Sequence, residues 1–278
     1  MVTRIITAAV GVVIALIVLI LHNTILFPIA IGLVSAMLVY EFIKVNGLFK
    51  YSLSSCAALI YSFALPFFTV GTIARFRTML TIACAFTLML DYIRHQTKMS
   101  ARSFFSLLIA GLLIPAAMSS AITLNNSHEY HGLAYMILAL GGAWLADTGA
   151  YFVGSAIGRT KLCPTISPKK TVEGFIGGIL FDVAFFVLFN LGYSLISSAK
   201  GVHFDVHWFS TVILAMTCAV LGTVGDLTAS VLKRQLEIKD FSKIMPGHGG
   251  MLDRFDSVLL VLPFFTAYIQ SVSFFAIK

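Results

Sequence analysis

The chain has 278 residues, of which 59% are hydrophobic and only 11% are charged. Soluble globular domains carry about 25% charged and about 45–50% apolar residues, so this composition excludes a water-soluble enzyme, a disordered chain and a nucleic-acid-binding protein. The 19 lysines and arginines outnumber the 12 acidic residues, which gives a net charge of +7. We therefore expect an integral membrane protein with many spans.

Nine apolar runs follow one another along the chain, each suited to crossing a hydrocarbon core of about 30 Å as a helix. The first run begins just after Arg4 and is followed by another apolar run rather than by a cleavage site, so it is interpreted as an uncleaved anchor. The pattern predicts an all-α polytopic membrane protein. The approximate spans are 5–21, 25–43, 53–74, 78–93, 103–122, 133–157, 175–197, 208–227 and 257–277.

The basic residues predict the orientation of these helices. Cytoplasmic loops of membrane proteins are enriched in Lys and Arg. With nine helices and a cytoplasmic N-terminus, all of the 19 basic residues lie in cytoplasmic loops except Arg75, Arg77, Lys200 and Lys278. We therefore expect the C-terminus outside, because eight helices would break the alternation.

The spans group into two regions. Residues 1–130 hold the first five helices, and residues 131–278 are expected to form the catalytic transmembrane region. The second region contains two cytoplasmic loops, 158–174 and 228–256. Long loops in compact proteins are usually functional or disordered, and the Gly, Lys, Asp and Pro content of these two favours function.

Several acidic residues lie inside or at the end of apolar runs, and three of them are considered as candidates. Asp147 and Asp226 are each flanked by glycine and small residues, and Asp182 lies in a run that offers no motif. A charge at membrane depth is costly, so such residues are candidates for a functional site. The alternative is a helix-end carboxylate that faces interfacial water.

The segment Ser-Pro-Lys-Lys-Thr-Val-Glu-Gly occupies residues 167–174. Thr171 is expected to cap a helix that begins near Val172. Lys169 and Lys170 would then lie beside a helix N-terminus, where exposed N–H groups and the helix dipole favour phosphate binding. The alternative is that both lysines are ordinary positive-inside residues.

The second loop combines basic, glycine-rich and acidic parts. Residues 230–237 can form a helix that places Lys233 and Arg234 at the membrane face, and the turn at 246–250 can expose backbone N–H groups to an anion. Asp253 and Asp256 are three residues apart, which predicts both carboxylates on one side of a helix start. Mg²⁺ uses one or two carboxylates plus substrate phosphates. The alternative is solvated surface charge.

These positions resemble the signature of bacterial CDP-diacylglycerol synthases (phosphatidate cytidylyltransferases). The resemblance is densest over residues 144–257 and includes Asp147, Gly154, Gly158 and the 167–174 segment. Its main stretch consists of Ser230, Leu232, Lys233, Arg234, Lys239, Asp240, Ser242, Met245, Pro246, His248, Gly249, Gly250, Met251, Asp253, Arg254, Phe255 and Asp256.

The resemblance implies a homodimeric enzyme of phospholipid biosynthesis that converts CTP and phosphatidate to CDP-diacylglycerol and pyrophosphate. It implies a multi-pass protein of the bacterial inner membrane, with the active site facing the cytoplasm and without a nucleic-acid partner. It further implies Mg²⁺ held by Asp226, Asp253 and Asp256, and allows K⁺ as a second cation.

The remaining candidate residues are expected to bind the substrates near those acids. Basic side chains would neutralise the pyrophosphate or the lipid phosphate, with Arg suited to bidentate contact. Gly249 and Gly250 would cradle phosphate, and His248 would donate a hydrogen bond or a proton. The substrate-binding set is Asp147, Lys170, Thr171, Ser230, Lys239, Gly249, Gly250 and Arg254, and the catalytic set is Asp226, Lys233, Arg234, His248, Asp253 and Asp256.

Two other functions compete with this interpretation. A transporter or channel would use intramembrane acids along an ion path, but the second half of the chain does not mirror the first as in inverted-repeat transporters. Another CTP-using membrane transferase, such as a polyprenol or phytol kinase, is a nearer alternative. The sequence lacks the DGxxAR pattern of CDP-alcohol phosphotransferases, which excludes the enzymes that act one step downstream.

Overall fold

Long apolar helices account for most of the structure, a computed structural model that describes residues 2–69, 71–127, 130–245, 247, 249–272 and 274–277. The described helices are α1 (Val2–Ile20), α2 (Leu26–Val45), α3 (Ser52–Ala64), α4 (Arg77–Arg94), α5 (Ala101–Leu108), α6 (Ile114–Asn125), α7 (Gly132–Ile157), α8 (Val172–Ala199), α9 (Trp208–Gln235), α10 (Leu252–Phe255) and α11 (Val258–Ser271). The short strands are β1 (Lys161–Cys163), β2 (Ser167–Thr171), β3 (Phe204–Val206) and β4 (Phe275–Ile277).

Six helical segments of the described residues have the length and composition to cross a membrane. They are Leu26–Val45, Thr72–Arg94, Ala101–Asn125, Gly132–Ile157, Val172–Ala199 and Trp208–Gln235. Two further apolar helices, Ala9–Ile20 and Ser52–Phe68, are shorter, and α11 has 14 residues. The predicted all-α polytopic membrane fold is confirmed at this level, with six helices of spanning length.

The chain divides into two compact units, of which the first comprises Met1–Asn126 and Gln235–Phe255. Helix α3 packs on α2, α4 and α6, and the apolar side chains between α3 and α4 include Tyr61 and Leu88. A buried carboxylate fastens α4 to α3: Asp91 accepts hydrogen bonds from the backbone N–H of Ser54 at 3.1 Å and from its hydroxyl at 2.5 Å. The segment 235–255 thus belongs with the N-terminal helices.

The second unit comprises Ser127–Arg234 and Asp256–Lys278. Helices α7 and α8 pack closely, because glycines of each helix leave room for the other. A Cβ added at Gly178 would lie 2.6 Å from the carbonyl oxygen of Ala146, and one at Gly149 would lie 2.4 Å from the Cβ of Phe181. This close packing brings Asp147 of α7 near Lys170, which lies just before the start of α8.

The short strands were not predicted. Strand β1 pairs antiparallel with β2 inside the 158–174 loop, and β3 pairs antiparallel with β4. The predicted helix at 257–277 is therefore wrong at its C-terminal end, because α11 ends at Ser271 and Phe275–Ile277 form a strand. A short apolar run has the same hydropathy whether it forms a helix or a strand. Strand β4 forms because it pairs with β3, which is distant in sequence, so hydropathy does not predict it.

Candidate active site

Lys170 forms the centre of a charged cluster in the second unit. Its ammonium makes ion pairs with Asp226 of α9 and with Asp147 of α7, the latter at 3.5 Å between Nζ and Oδ1. The side chains of Lys170 and Asp226 are only 22% and 23% exposed. Burial lowers the pKa of Lys170, but the two carboxylates outweigh it and leave the pKa above its ordinary value. The lysine therefore stays charged and joins three segments of the unit.

Asp256 extends this cluster from the start of α11. Its carboxylate is almost fully buried and accepts a hydrogen bond from the backbone N–H of Ser257 at 2.8 Å. The Ser257 hydroxyl also reaches Asp147, at 3.4 Å. Burial first, and then the charge of Asp226, raise the pKa of Asp256 to about 7, whereas Lys233 lowers it. Asp147, Asp226 and Asp256 thus act on one another, as expected of a site that handles charge.

The predicted helix cap positions the lysine. Thr171 lies at the N-cap of α8, and its hydroxyl accepts from the backbone N–H of Gly174 at 3.1 Å. Gly154, Gly158 and Gly174 surround this threonine so closely that a Cβ at each would lie within 3.0 Å of its Oγ1. The cap is therefore confirmed. It fixes the end of β2 and, through it, the direction of the adjacent Lys170.

The last two turns of α9 carry three more of the predicted residues. Ser230 and Lys233 follow Asp226 at intervals of four and seven residues, which places all three on one face of the helix. Lys233 interacts electrostatically with Asp256. Arg234 is exposed and donates from Nε to the carbonyl oxygen of Ile166 at 3.3 Å, so it supports the β1–β2 turn in this structure.

The signature loop, residues 236–255, lies in the first unit. Asp253 Oδ2 accepts from the backbone N–H groups of Phe241 and Gly250, each at 2.9 Å. Gly249 has a φ of +84°, and Met245 pairs with it as an isolated bridge. Because the Gly250 N–H already donates to Asp253, a phosphate bound there would have to displace this carboxylate.

Other predicted residues of the loop lie near its surface. Lys239 and Arg254 are exposed, as groups that meet a soluble anion would be. His248 falls outside the described residues. The expectation that Asp253 and Asp256 share one side of a helix start is wrong, because α10 ends at Phe255 and Asp256 lies beyond it. A helix of four residues is too short to carry both, and the two residues belong to different compact units.

A ready-made metal centre is not part of the described residues: no three of their His, Cys, Asp and Glu side chains form a group that could hold a metal ion. Asp226 and Asp256 nevertheless offer carboxylate oxygens, the ligand type that Mg²⁺ prefers, and they influence each other electrostatically. Hence the donor chemistry fits a hard cation.

Glu41 is not among the residues predicted from the sequence. This acid of α2 is fully buried, and its carboxylate accepts from the Ser242 hydroxyl and from the backbone N–H groups of Met251 and Leu252. An acid inside the apolar run 25–43 was the available signal, the same signal that drew attention to Asp147. The partners of Glu41 lie about two hundred residues away, so its contacts could not be inferred.

Long apolar helices that carry a lysine–aspartate cluster define a multi-span membrane protein with an enzyme-like charged site. Residues 2–272 match the model of the cytidylyltransferase family. The chain belongs to this family, and it is a CTP-using nucleotidyltransferase.

The chain is similar to several curated bacterial proteins named phosphatidate cytidylyltransferase. The Bacillus subtilis (strain 168) protein is 34% identical over 247 residues, which cover 86% of this chain and 86% of that protein. The Haemophilus influenzae relative is 33% identical over 190 residues, 66% of this chain and 64% of its own. The Staphylococcus haemolyticus relative is 42% identical over 138 residues, 48% and 47% of the two chains.

Proposed function

We propose that the protein transfers the cytidylyl group of CTP to phosphatidate, giving CDP-diacylglycerol and pyrophosphate. The observation that carries this proposal is the Lys170 ammonium held between Asp226 and Asp147 among apolar helices. A cation fixed in such surroundings suits a reaction between two anions, one of which is a lipid. The names of the bacterial relatives specify the substrate pair.

The chemistry is a direct displacement. A phosphate oxygen of phosphatidate attacks the α-phosphorus of CTP, a new P–O bond forms, and the bond to the leaving pyrophosphate breaks. The attacking oxygen is already an anion, so a protein nucleophile is unnecessary. Catalysis then consists of positioning and of charge neutralisation. We assign neutralisation of the phosphates to Lys170, Lys233, Arg234, Lys239 and Arg254.

Substrate positioning falls to the remaining residues. Ser230 lies one helical turn from Asp226 on α9 and is proposed to donate to a phosphate oxygen. Gly249 and Gly250 are proposed to contact phosphate through the backbone, and His248 to donate a hydrogen bond or a proton. Asp147 orients Lys170, and Thr171 supports the same lysine by capping α8.

We propose that Asp226, Asp253 and Asp256 hold Mg²⁺. When bound, the cation supplies charge neutralisation for triphosphate oxygens. In support, Asp226 and Asp256 provide hard oxygen ligands whose charges oppose each other. Asp253 is assigned through the motif resemblance and lies three residues from Asp256 in the chain. K⁺ is proposed as a second cation.

The membrane arrangement is part of the proposal. We propose nine spans, with the six long helices joined by α1, the Ser52–Phe68 segment and α11, the N-terminus in the cytoplasm and the C-terminus outside. The enzyme would lie in the bacterial inner membrane as a homodimer, with its active site open to cytoplasmic CTP. Lipid substrate would enter laterally from the bilayer.

One assay tests the activity. Purified protein is incubated with α-³²P-labelled CTP, phosphatidate and Mg²⁺, and the lipids are extracted. We expect label in the organic phase and release of pyrophosphate. Parallel reactions with a polyprenol or phytol and γ-³²P-labelled CTP distinguish the kinase alternative. Labelled lipid from the alcohols, but not from phosphatidate, would overturn the proposal.

The metal assignment has its own test. Asp253→Asn keeps one carbonyl oxygen to accept from Phe241 and Gly250 but removes the charge. We expect at least about a 100-fold loss of turnover with the melting temperature unchanged. Glu237→Gln, an exposed acid of the same loop, is the matched control and should keep full activity. Unchanged turnover and unchanged Mg²⁺ dependence in Asp253→Asn would refute the assignment.

A further inference from the structure

Glu41 is an acid that none of the proposed catalytic roles uses. It lies on α2 at 0% exposure. A carboxylate is costly to bury unless hydrogen bonds replace its hydration. Three donors do so here: the Ser242 hydroxyl at 2.5 Å, the Met251 N–H at 2.9 Å and the Leu252 N–H at 2.7 Å. All three belong to the signature loop, so this carboxylate is fastened to the loop.

The loop is shaped to receive this carboxylate. A Cβ added at Gly250 would lie 2.7 Å from Glu41 Oε2 and 2.9 Å from the backbone nitrogen of Ser242. Only glycine leaves that space. Glycine at position 250 is therefore explained by the space that Glu41 occupies, in addition to the proposed contact with phosphate.

A second carboxylate closes the same loop from within. Asp253 joins the N–H groups of Phe241 and Gly250, and Gly250 is the residue next to the Met251 and Leu252 pair that Glu41 holds. The backbone around residues 250–252 is therefore fixed by Glu41 on one side and by Asp253 on the other. Loss of Glu41 would free the segment on which the direction of Asp253 depends.

We propose that Glu41 is a positioning residue that holds the signature loop in its active conformation and thereby aims Asp253 and Arg254 at the nucleotide phosphates. The proposal rests on the proposed function for the identity of the ligand. Glu41 touches neither substrate nor the reacting atoms. It acts through backbone N–H groups of the loop, so its loss should change the binding of CTP and Mg²⁺ more than the global stability of the protein.

The test compares two buried carboxylates of the same unit. Glu41→Gln keeps the shape but replaces one acceptor oxygen by an NH₂ group, which faces a donor. Asp91→Asn is the matched control: Asp91 is 1% exposed and also accepts from a serine hydroxyl and a backbone N–H, but these belong to Ser54 of α3. Ser242→Ala, a milder variant, removes one of the three donors to Glu41 and spares the two backbone N–H groups.

Steady-state kinetics and hydrogen exchange are measured on the full-length enzyme. In Glu41→Gln we expect about a tenfold or greater rise in KM for CTP and in the Mg²⁺ concentration for half-maximal activity, with a smaller change in kcat. Ser242→Ala should shift both by about twofold to fivefold. Hydrogen exchange of residues 241–252, followed by mass spectrometry, should accelerate in Glu41→Gln and stay unchanged in Asp91→Asn.

The outcomes separate this inference from the proposed function. If the wild type does not label phosphatidate, the proposed function fails, and hydrogen exchange still decides whether Glu41 holds the loop. If Glu41→Gln keeps wild-type KM, Mg²⁺ dependence and exchange, or matches Asp91→Asn in all of them, the positioning role is overturned. Should Glu41→Gln not fold, the same comparison is made with Ser242→Ala, and wild-type behaviour of that variant counts against the role.

Discussion

At the residue scale, the chemistry of the second unit depends on a small cluster of charged side chains and on how they are paired. Lys170 pairs with Asp226 and Asp147, and Asp256 lies beside them. A buried charge that loses its partner is strongly destabilising, whereas a fully paired one is tolerated. The cluster therefore contributes to folding as well as to the proposed catalysis, and the two contributions can be measured separately.

Lys170→Met should lower stability by about 1–3 kcal/mol, because it leaves neighbouring carboxylates without their cation. Lys169→Met is the matched control: the side chain is exposed, and its loss should change stability by less than about 0.5 kcal/mol. Asp226→Asn should lower the free energy of unfolding less in the Lys170→Met background than in the wild type. Thermal unfolding in detergent measures all four variants, and equal costs in both backgrounds would contradict the pairing.

The pH dependence of this difference follows from the raised pKa of Lys170. A raised folded-state pKa means that the stabilisation is fully present below the ordinary value of 10.5 and is lost as pH rises through the folded value. Titration of Lys170 should therefore leave the wild-type advantage over Lys170→Met unchanged between about pH 7 and 9. Unfolding measured across that range checks this, and an advantage that fell steadily would indicate a lowered pKa instead.

At the element scale, helix α8 brings both the lysine and its environment into place. Its N-terminus is capped by Thr171, and its glycines allow contact with α7. Glycine in a helix interior is otherwise unfavourable by about 1 kcal/mol relative to alanine. The effect on stability of replacing a glycine of α8 by alanine therefore depends on what the glycine faces.

Gly178→Ala should destabilise the protein by about 1–3 kcal/mol, since the new Cβ would lie 2.6 Å from the Ala146 carbonyl oxygen, next to Asp147. Gly192→Ala is the control on the same helix. A Cβ there meets nothing within 4 Å, so it should be neutral or stabilising by up to about 1 kcal/mol. Melting temperatures of the pair decide the matter, and a Gly178→Ala protein as stable as Gly192→Ala would show that α7 and α8 separate easily.

What could be predicted from sequence depends on the range of the interaction. The Thr171 cap involves residues three apart, and local chemistry specifies it. Apolar runs likewise located the helices, because burial in lipid selects composition over long stretches. Glu41 was missed since its partners Ser242 and Leu252 lie 201 and 211 residues away. The final strand β4 was missed for the same reason.

At the scale of the whole molecule, the scarce charges serve two purposes. Some form the cluster around Lys170, and the exposed lysines and arginines of the 158–174 and 228–256 loops carry positive charge at the surface. The positive-inside rule relates such loops to one side of the membrane. The proposed topology therefore predicts that CTP and the basic loops meet on the cytoplasmic side, and the position of the C-terminus tests the number of helices crossed.

Reporter fusions provide that test. With nine spans and a cytoplasmic N-terminus, alkaline phosphatase fused after residue 278 should be active, because this enzyme folds only outside the cytoplasm. Green fluorescent protein fused at the same position should not fluoresce, because it would be exported unfolded. Fusions after Lys98, in a loop between Arg94 and Arg102, should give the opposite pair of signals and control for expression. If the C-terminal fluorescent fusion is bright and the phosphatase fusion inactive, the number of spans is even. In that case either one or all three of the shorter helices, α1, the Ser52–Phe68 segment and α11, do not cross the bilayer.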